Sequence, residues 1–343
     1  MSMERRFIET NHRNLEIDQS FSLSQIDPRA LIRLKETGEC DFTLAEIFFD
    51  VAYPGHYRRR IRAVRLTIPS VTGPFVNVSA TLSLTRSQIR MAPALGDDQL
   101  VEVPVSRPSS IATSNAQDDP GVFDLSFRDE RHMPFEGAGA VASFHLELPK
   151  SFRPFDYQTI DDVVVRVNYT AEADRAFAQQ IQALNAATEG TLLNFLSNNS
   201  LARAFSLRRE LSNAFNRLVH SPAGTAVKVA IEEKHMPFFL HGRDLAVTKA
   251  VLAVRPREGQ AVGAFGISID GTPFAGFAPD ASFGGLPAVD LGALFANGLY
   301  RERELKVDAV GDLGPDAPVP GDPSALDEDK LLDMLLYVEY ELA

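Results

Sequence analysis

The residue types that carry chemistry are all present in this chain, but not in the spacings chemistry needs. There are seven histidines, His12, His56, His132, His145, His220, His235 and His241. No two of them share the helical spacing that turns a pair of imidazoles toward one zinc ion. His235 and His241 stand six apart across a turn, where the simpler reading is histidines hydrogen-bonded to backbone. Carboxylates pair at Asp118-Asp119, Asp129-Glu130 and Asp161-Asp162. A glycosidase needs two carboxylates set across a cleft, and a calcium loop needs oxygen ligands at fixed offsets. Turn formation and helix capping account for adjacent acids without either. Cys40 is the single cysteine, and nothing beside it would lower its pKa. The sequence holds no phosphate-cradling Gly-rich loop, no Gly-x-Ser-x-Gly elbow and no kinase set. Gly137-Ala138-Gly139 precedes a strand-like run, so it reads as a turn and not as a dinucleotide cradle. No catalytic residue, cofactor or metal is expected.

The densest charge is basic: His56-Tyr57-Arg58-Arg59-Arg60-Ile61-Arg62, after Pro54-Gly55. One reading is the lead-in to a strand, its arginines solvated or paired with the acidic surplus. The other is an Arg and Tyr patch that meets an acidic protein surface, since these types dominate interface hot spots. The candidate protein-binding residues are Tyr57, Arg58 and Arg59 together with the Asp129, Glu130 and Arg131 turn, chosen for exposed charge and aromatic character. With Lys+Arg 34 against Asp+Glu 46 the net charge is −12, which disfavours nucleic acid and anionic membrane as partners. No apolar run reaches the ~18 residues that span a bilayer. The N-terminus lacks the apolar core of a signal peptide, so no export of its own is expected.

These residues must be placed by β structure. Arg62 to Ile68, Val76 to Leu84, Gly121 to Phe127, Ser143 to Leu148 and Val163 to Tyr169 alternate apolar and polar, and turn residues separate them. Val227 to Ile231, Val247 to Val254, Phe265 to Ile269, Arg303 to Val307 and Leu332 to Leu342 repeat the pattern, with Asp270-Gly271 a hairpin signal. Asp27-Pro28 predicts a short helix over 29–36, stopped by Gly38. Ile47-Phe48-Phe49 reads as strand. Phe177, Ile181 and Leu184 predict a helix, broken near Gly190 and at 197–200; Leu207, Leu211, Phe215 and Leu218 predict another.

A phrase also recurs: Glu130-Arg131-His132-Met133-Pro134-Phe135 and Glu233-Lys234-His235-Met236-Pro237-Phe238. The strands 162–169 and 333–340 echo each other as well. The echo predicts two related β domains in tandem. His132, Pro134, Phe135 and Gly137 of one copy and His235, Pro237 and Phe238 of the other are expected to be structural turn residues, His132 equivalent to His235. The expected fold is mainly β: two tandem antiparallel β-sandwich domains joined by a helical connector. The expected divisions are an N-terminal arm and strand at 1–26, a sandwich at 27–170, a connector at 171–203 and a second sandwich at 204–343.

Longer stretches carry a resemblance. Glu4-Arg5-Arg6-Phe7, Asp27-Pro28, Leu31 to Gly38, Pro54 to Ile61, Ser70 to Pro74, Phe127 to Ala140, Phe155-Asp156-Tyr157 and Ile160 to Val163 resemble the C-terminal region of the A subunit of Tc (toxin complex) insecticidal toxins, the part that binds the B subunit. Phe205 to Glu210, and Met236-Pro237-Phe238-Phe239 through Gly284 to Pro287, look like a β extension that some members carry. The resemblance implies a non-enzymatic docking module for the B subunit of the B–C cocoon, at the mouth of a translocation channel. It also implies other A protomers as partners in a homopentamer when the segment stands in the full-length chain. It implies an extracellular toxin complex, cytoplasmic before release, with no direct membrane insertion by this segment. The isolated chain is expected to be a monomer. The alternative is a carbohydrate- or receptor-binding sandwich with Tyr157, Tyr169 or Tyr300 as stacking residues. A carboxylate hydrolase is a third reading.

Overall fold

The alternating runs become strands, and the strands assemble into four antiparallel sheets. The computed structural model describes residues 14–73, 76, 78–104, 110–112, 122–123, 135–150, 153–186, 201–236, 240–242, 244–295, 298–316 and 324–342. The chain divides into two units, Met1–Phe195 and Leu196–Ala343.

The first unit contains β1 (Leu15–Ser22), β2 (Glu39–Leu44), β3 (His56–Thr67), β4 (Thr81–Arg90), β5 (Leu100–Glu102), β6 (Ser110–Ala112), β7 (Val122–Phe123), β8 (Val141–Glu147) and β9 (Val164–Ala173). One sheet has the order β1-β9-β3-β7 and the other β2-β8-β4-β5, with β6 also on β4. Phe21, Val64 and Val165 from the first sheet share one core with Phe42, Leu82 and Phe144 from the second. Alternation therefore turns one face of each sheet inward, and the two faces close on each other as a sandwich.

The second unit contains β10 (Leu201–Ser206), β11 (Val227–Ala230), β12 (Leu245–Pro256), β13 (Gly266–Ile269), β14 (Thr272–Ala275), β15 (Ala278–Asp280), β16 (Leu286–Asp290), β17 (Glu302–Ala309) and β18 (Leu331–Leu342). Its sheets run β10-β18-β12-β16-β15 and β11-β17-β13-β14. With β6 and β15 set aside, the units correspond strand for strand. β1, β9, β3 and β7 match β10, β18, β12 and β16, while β2, β8, β4 and β5 match β11, β17, β13 and β14. The first strand pairs with the last, and the order is that of a jelly roll.

The correspondence reaches single hydrogen bonds. In the first unit Ser22 Oγ donates to Asp162 at 2.5 Å and Ser24 N to the same carboxylate at 2.9 Å. In the second, Ser206 Oγ donates to Asp333 at 2.5 Å and Arg208 N at 3.0 Å. Beside each clasp a backbone bond of 2.9 Å joins Leu23 N to Val163 O and Leu207 N to Met334 O. A bulge interrupts β3 between Ile61 and Ala63, opposite Tyr169 and Asn168. Its counterpart interrupts β12 between Val247 and Lys249, opposite Tyr340 and Glu339.

The recurring phrase, however, is out of register with this repeat. Glu130 to Phe135 lies between β7 and β8, and Glu233 to Phe238 between β11 and β12, whose counterparts are β2 and β3. It is the closing strands and their clasps that repeat.

Helices fill the connections. Asp27 accepts from Ala30 N at 3.0 Å, Pro28 opens the helix Pro28–Thr37, and Gly38 ends it at φ 82°. Ile47-Phe48-Phe49, expected as strand, lies in the helix Glu46–Ala52. That turn of helix buries Ile47 and Phe49 while Glu46 and Asp50, four apart, share one face. The run from Val76 becomes strand only at Thr81. In the helix Arg175–Ala186, Phe177 and Ile181 pack on Tyr57; the Leu184 side chain, Gly190 and residues 197–200 lie outside the described residues. The helix Ser212–His220 buries Phe215, Leu218 and Val219. Asp270 and Gly271, at φ 51° and 80°, turn β13 into β14.

Candidate functional site

The basic run forms the start of β3, and alternation divides its side chains. Tyr57 and Arg59 point inward, 7% and 3% exposed, while Arg58 and Arg60 point outward. The expectation of exposed charge and aromatic character thus holds for Arg58 and not for Tyr57 or Arg59. A bulge lies between Tyr57 and Arg60, and Arg58 within it takes φ 50°, a left-handed conformation usually left to glycine.

Arg59 enters a buried ionic net. It donates to Glu46 at 3.3 Å and to Asp50. Arg90, also buried, grips Glu46 with two bonds of 2.9 and 2.7 Å and donates to the carbonyls of Ala94 and Gly96. Burial pushes the Asp50 carboxyl above its ordinary range, against the pull of Arg59. The net fastens the helix Glu46–Ala52 to β3, to the end of β4 and to the loop after it. Above it, Tyr57 Oη donates to Glu172 at 2.8 Å. Arg58 donates to Glu172 at 3.1 Å and to Met91 O at 3.0 Å. Burial and the Glu172 hydrogen bond raise the Tyr57 phenol above its usual range. Arg62 pairs with Glu16 at 2.8 Å. The run therefore spends much of its charge on the acidic surplus of its own unit.

The Gly-rich turn is structural. Phe135, at φ 68°, enters the core against Phe144. Gly137 N donates to Ile61 O at 2.8 Å, and Arg60 reaches Gly137 O at 3.2 Å. Gly139 N donates to the buried Ser87 Oγ at 2.6 Å, and a Cβ on Gly139 would lie 2.0 Å from Gln88 O. Only glycine fits there. Asp129, Glu130, Arg131, His132 and Pro134 lie outside the described residues, as do Asp118, Asp119, His12, Pro237 and Phe238.

The remaining reactive types have local duties. His235 Nδ1 accepts from Glu232 N at 3.0 Å, and His241 donates to Met236 O at 3.1 Å. His56 and His220 donate to the carbonyls of Tyr53 and Asn216, and His145 meets Asp41 at 2.8 Å. Among the described residues no group of three or more His, Cys, Asp and Glu is placed to hold a metal. Cys40 is fully buried, and burial pushes its thiol up to about 12. Tyr157 and Tyr169 are core residues and offer no ring to a sugar.

What the sequence reading passed over is apolar. Seven large hydrophobic side chains are exposed among the described residues: Leu15, Val51, Tyr53, Val71, Met91, Leu95 and Val101. All belong to the first unit. Val51 and Tyr53 end the helix Glu46–Ala52, Met91 and Leu95 lie in the loop that Arg58 and Arg90 hold, and Val101 is on the adjoining β5. Their signal was present: Met91-Ala92-Pro93-Ala94-Leu95 sets large apolar residues in a turn segment, where burial is not available to them.

A family model described as the Tc toxin complex TcA C-terminal TcB-binding domain matches residues 1–171. Toxin subunit YenA2 of Yersinia entomophaga is 30% identical over 201 residues, 54% of this chain and 15% of that protein. The cryo-EM structure of Yersinia pseudotuberculosis TcaA-TcaB aligns with 50% of this chain and 10% of its own, at 20% identity and a TM-score of 0.35. That of Morganella morganii TcdA4 aligns with 50% and 8%, at 20% identity and a TM-score of 0.30. The chain thus spans a small part of the length of each.

Proposed function

Because residues 1–171 belong to the TcB-binding domain family of Tc toxin A subunits, we propose that this chain is a docking module that seats the B subunit and catalyses no reaction. The family match over the first unit is the observation that carries this reading. The site geometry supports it: the polar side chains of β3 are committed to fastening, and the unit is a stiff sandwich with an exposed apolar end. In the assembled toxin, several copies in a ring would each make a modest contact with one B–C cocoon at the channel mouth, and multivalency would hold it. The module then acts outside the producing cell, as part of the complex.

The test is to mix the chain, alone and fused to a pentameric scaffold, with a purified B–C complex and to follow co-elution and interferometry. Binding that strengthens on pentamerisation is expected. Absence of binding in both forms overturns the docking role.

A further inference from the structure

We propose that the end of the first unit bearing Val51, Tyr53, Arg58, Met91, Leu95 and Val101 is the face on which the B subunit seats, an assignment that rests on the docking reading above. Three independent observations converge there. The first is location: five of the seven exposed large hydrophobics lie at this end. The second unit has the same strand order but lies beyond the family match, and none of its described residues is an exposed large hydrophobic. Apolar exposure therefore follows the docking family and not the fold.

The second observation is backbone strain. Arg58 holds a left-handed φ in a bulge that glycine would occupy without penalty. Its guanidinium donates to Glu172, which Tyr57 also holds, and to Met91 O, and the side chain stays half-exposed while making both contacts. Strained positions cluster at ligand-binding and switch sites, and here a half-exposed arginine is presented beside Met91.

The third is support. Arg59 and Arg90 lock the helix and the loop from below through Glu46 and Asp50, so the face is preorganised. Tyr, Met and Arg are the types enriched at interfaces. The partner surface that fits is apolar and offers a carbonyl or carboxylate to Arg58.

The experiment measures Kd of the full chain for a purified TcB subunit, with melting curves and size-exclusion chromatography run in parallel. Val51→Asp combined with Leu95→Asp is expected to raise Kd by about tenfold or more, and Arg58→Gly by about threefold, with melting unchanged. Val71→Asp adds one such charge at the most exposed apolar residue outside this end and is expected to leave Kd unaltered. Patch variants that bind like the parent, or a Val71 variant that weakens binding as much, overturn the face and leave the docking role standing. Patch variants that keep TcB affinity but dissolve a self-associated form make the face a contact between copies, which also overturns it. A parent chain that does not bind TcB removes the docking reading itself.

Discussion

The two units share a strand order, a Ser–Asp clasp and a bulge, yet they invest their buried arginines differently. In the first, Arg59 and Arg90 share Glu46 and Asp50 in a connected net. In the second, Arg303 meets one carboxylate, Asp270 at 3.1 Å, and lies 4.0 Å from the Phe295 ring centroid. Its Nε is buried without an acceptor, and burial lowers its pKa below the usual guanidinium range. Arg303 also lines a cavity of about 30 Å³ between the sheets, with Leu252, Leu336, Val229 and Ile269. A jelly roll needs neither arrangement to form, so topology does not explain the difference. The first unit ties down the end that carries exposed apolar groups, and the second exposes no large hydrophobic among its described residues.

Arg59→Met should have the largest effect. Removing one member of a buried ion net leaves uncompensated charge, which costs about 3–5 kcal/mol. Arg303→Met should cost the second unit less, about 1–3 kcal/mol, since Asp270 is partly exposed and an unsatisfied Nε goes with it. Cys40 separates the two events. It is the only cysteine, it is fully buried in the first unit, and its thiol is pushed up to about 12. Thiol labelling along a urea series therefore reports the first unit alone. Equal costs would mean that the net is no stiffer than the single pair.

The clasps test the likeness between the units. Asp333 is 5% exposed and accepts from Ser206, Arg208 N and Met334 N; Asp162 accepts from Ser22, Ser24 N and Val163 N but is less buried. Asp333→Ala should cost about 3 kcal/mol and Asp162→Ala about 2 kcal/mol, each in its own unit, because orphaned buried donors lose water without replacement. Denaturation followed by thiol labelling and by circular dichroism separates the two.

Asp50 sets a smaller, pH-dependent difference. Its carboxyl is raised in the fold, chiefly by burial. On acidification the folded state takes up this proton before the unfolded chain does, so this site adds stability as the pH falls through its folded pKa. The contribution is complete below the ordinary carboxylate value and is lost as the pH rises. Asp50→Asn should flatten that slope in the first unit while the second keeps its own. A pH series of urea midpoints in which the slope survives the substitution would remove Asp50 as its source.

Much of the β structure was legible because its signals are local: β3, β8 and β9 can be read from every second residue, β12, β13 and β18 from short apolar runs rich in Val, Ile and Leu, and Asp27, Pro28 and Gly38 mark a helix unaided. The mainly β fold in two related parts followed from those runs and from the echo of the closing strands. Pairing was not legible. β1 reaches β9 across more than a hundred residues, and no short window holds that information. Ile47 to Phe49 misled because a brief apolar run has no period long enough to tell helix from strand. At the candidate site, composition drew the eye to three consecutive residues, and the pleat sent two of them inward. The apolar face was missed for the opposite reason. Its members come from a helix end, a loop and a short strand, which the ionic net, the Arg58 bond to Met91 and the β4–β5 pairing hold together.

The smallest effect discriminates most sharply between the units, because a non-glycine residue stands in a left-handed conformation at nearly the same angle in both: Arg58 at φ 50° and Asp270 at φ 51°. Aspartate tolerates that conformation, and Asp270 uses it: its carboxylate accepts from Glu304 N at 2.9 Å and holds Arg303. Asp270→Gly should therefore destabilise the second unit by about 2 kcal/mol, since a buried guanidinium loses its counter-charge. For Arg58→Gly, relief of about 1 kcal/mol of backbone strain opposes the loss of a half-exposed pair with Glu172 and the added entropy of the unfolded chain. The net change should lie within about 1 kcal/mol of zero. Strain at Asp270 is thus offset by a pair with a buried guanidinium, whereas strain at Arg58 is offset by a half-exposed pair with Glu172 and a bond to Met91 O. If Arg58→Gly proves as costly as Asp270→Gly in denaturant titrations, the arginine is structural, and its conformation ceases to point outward to a partner.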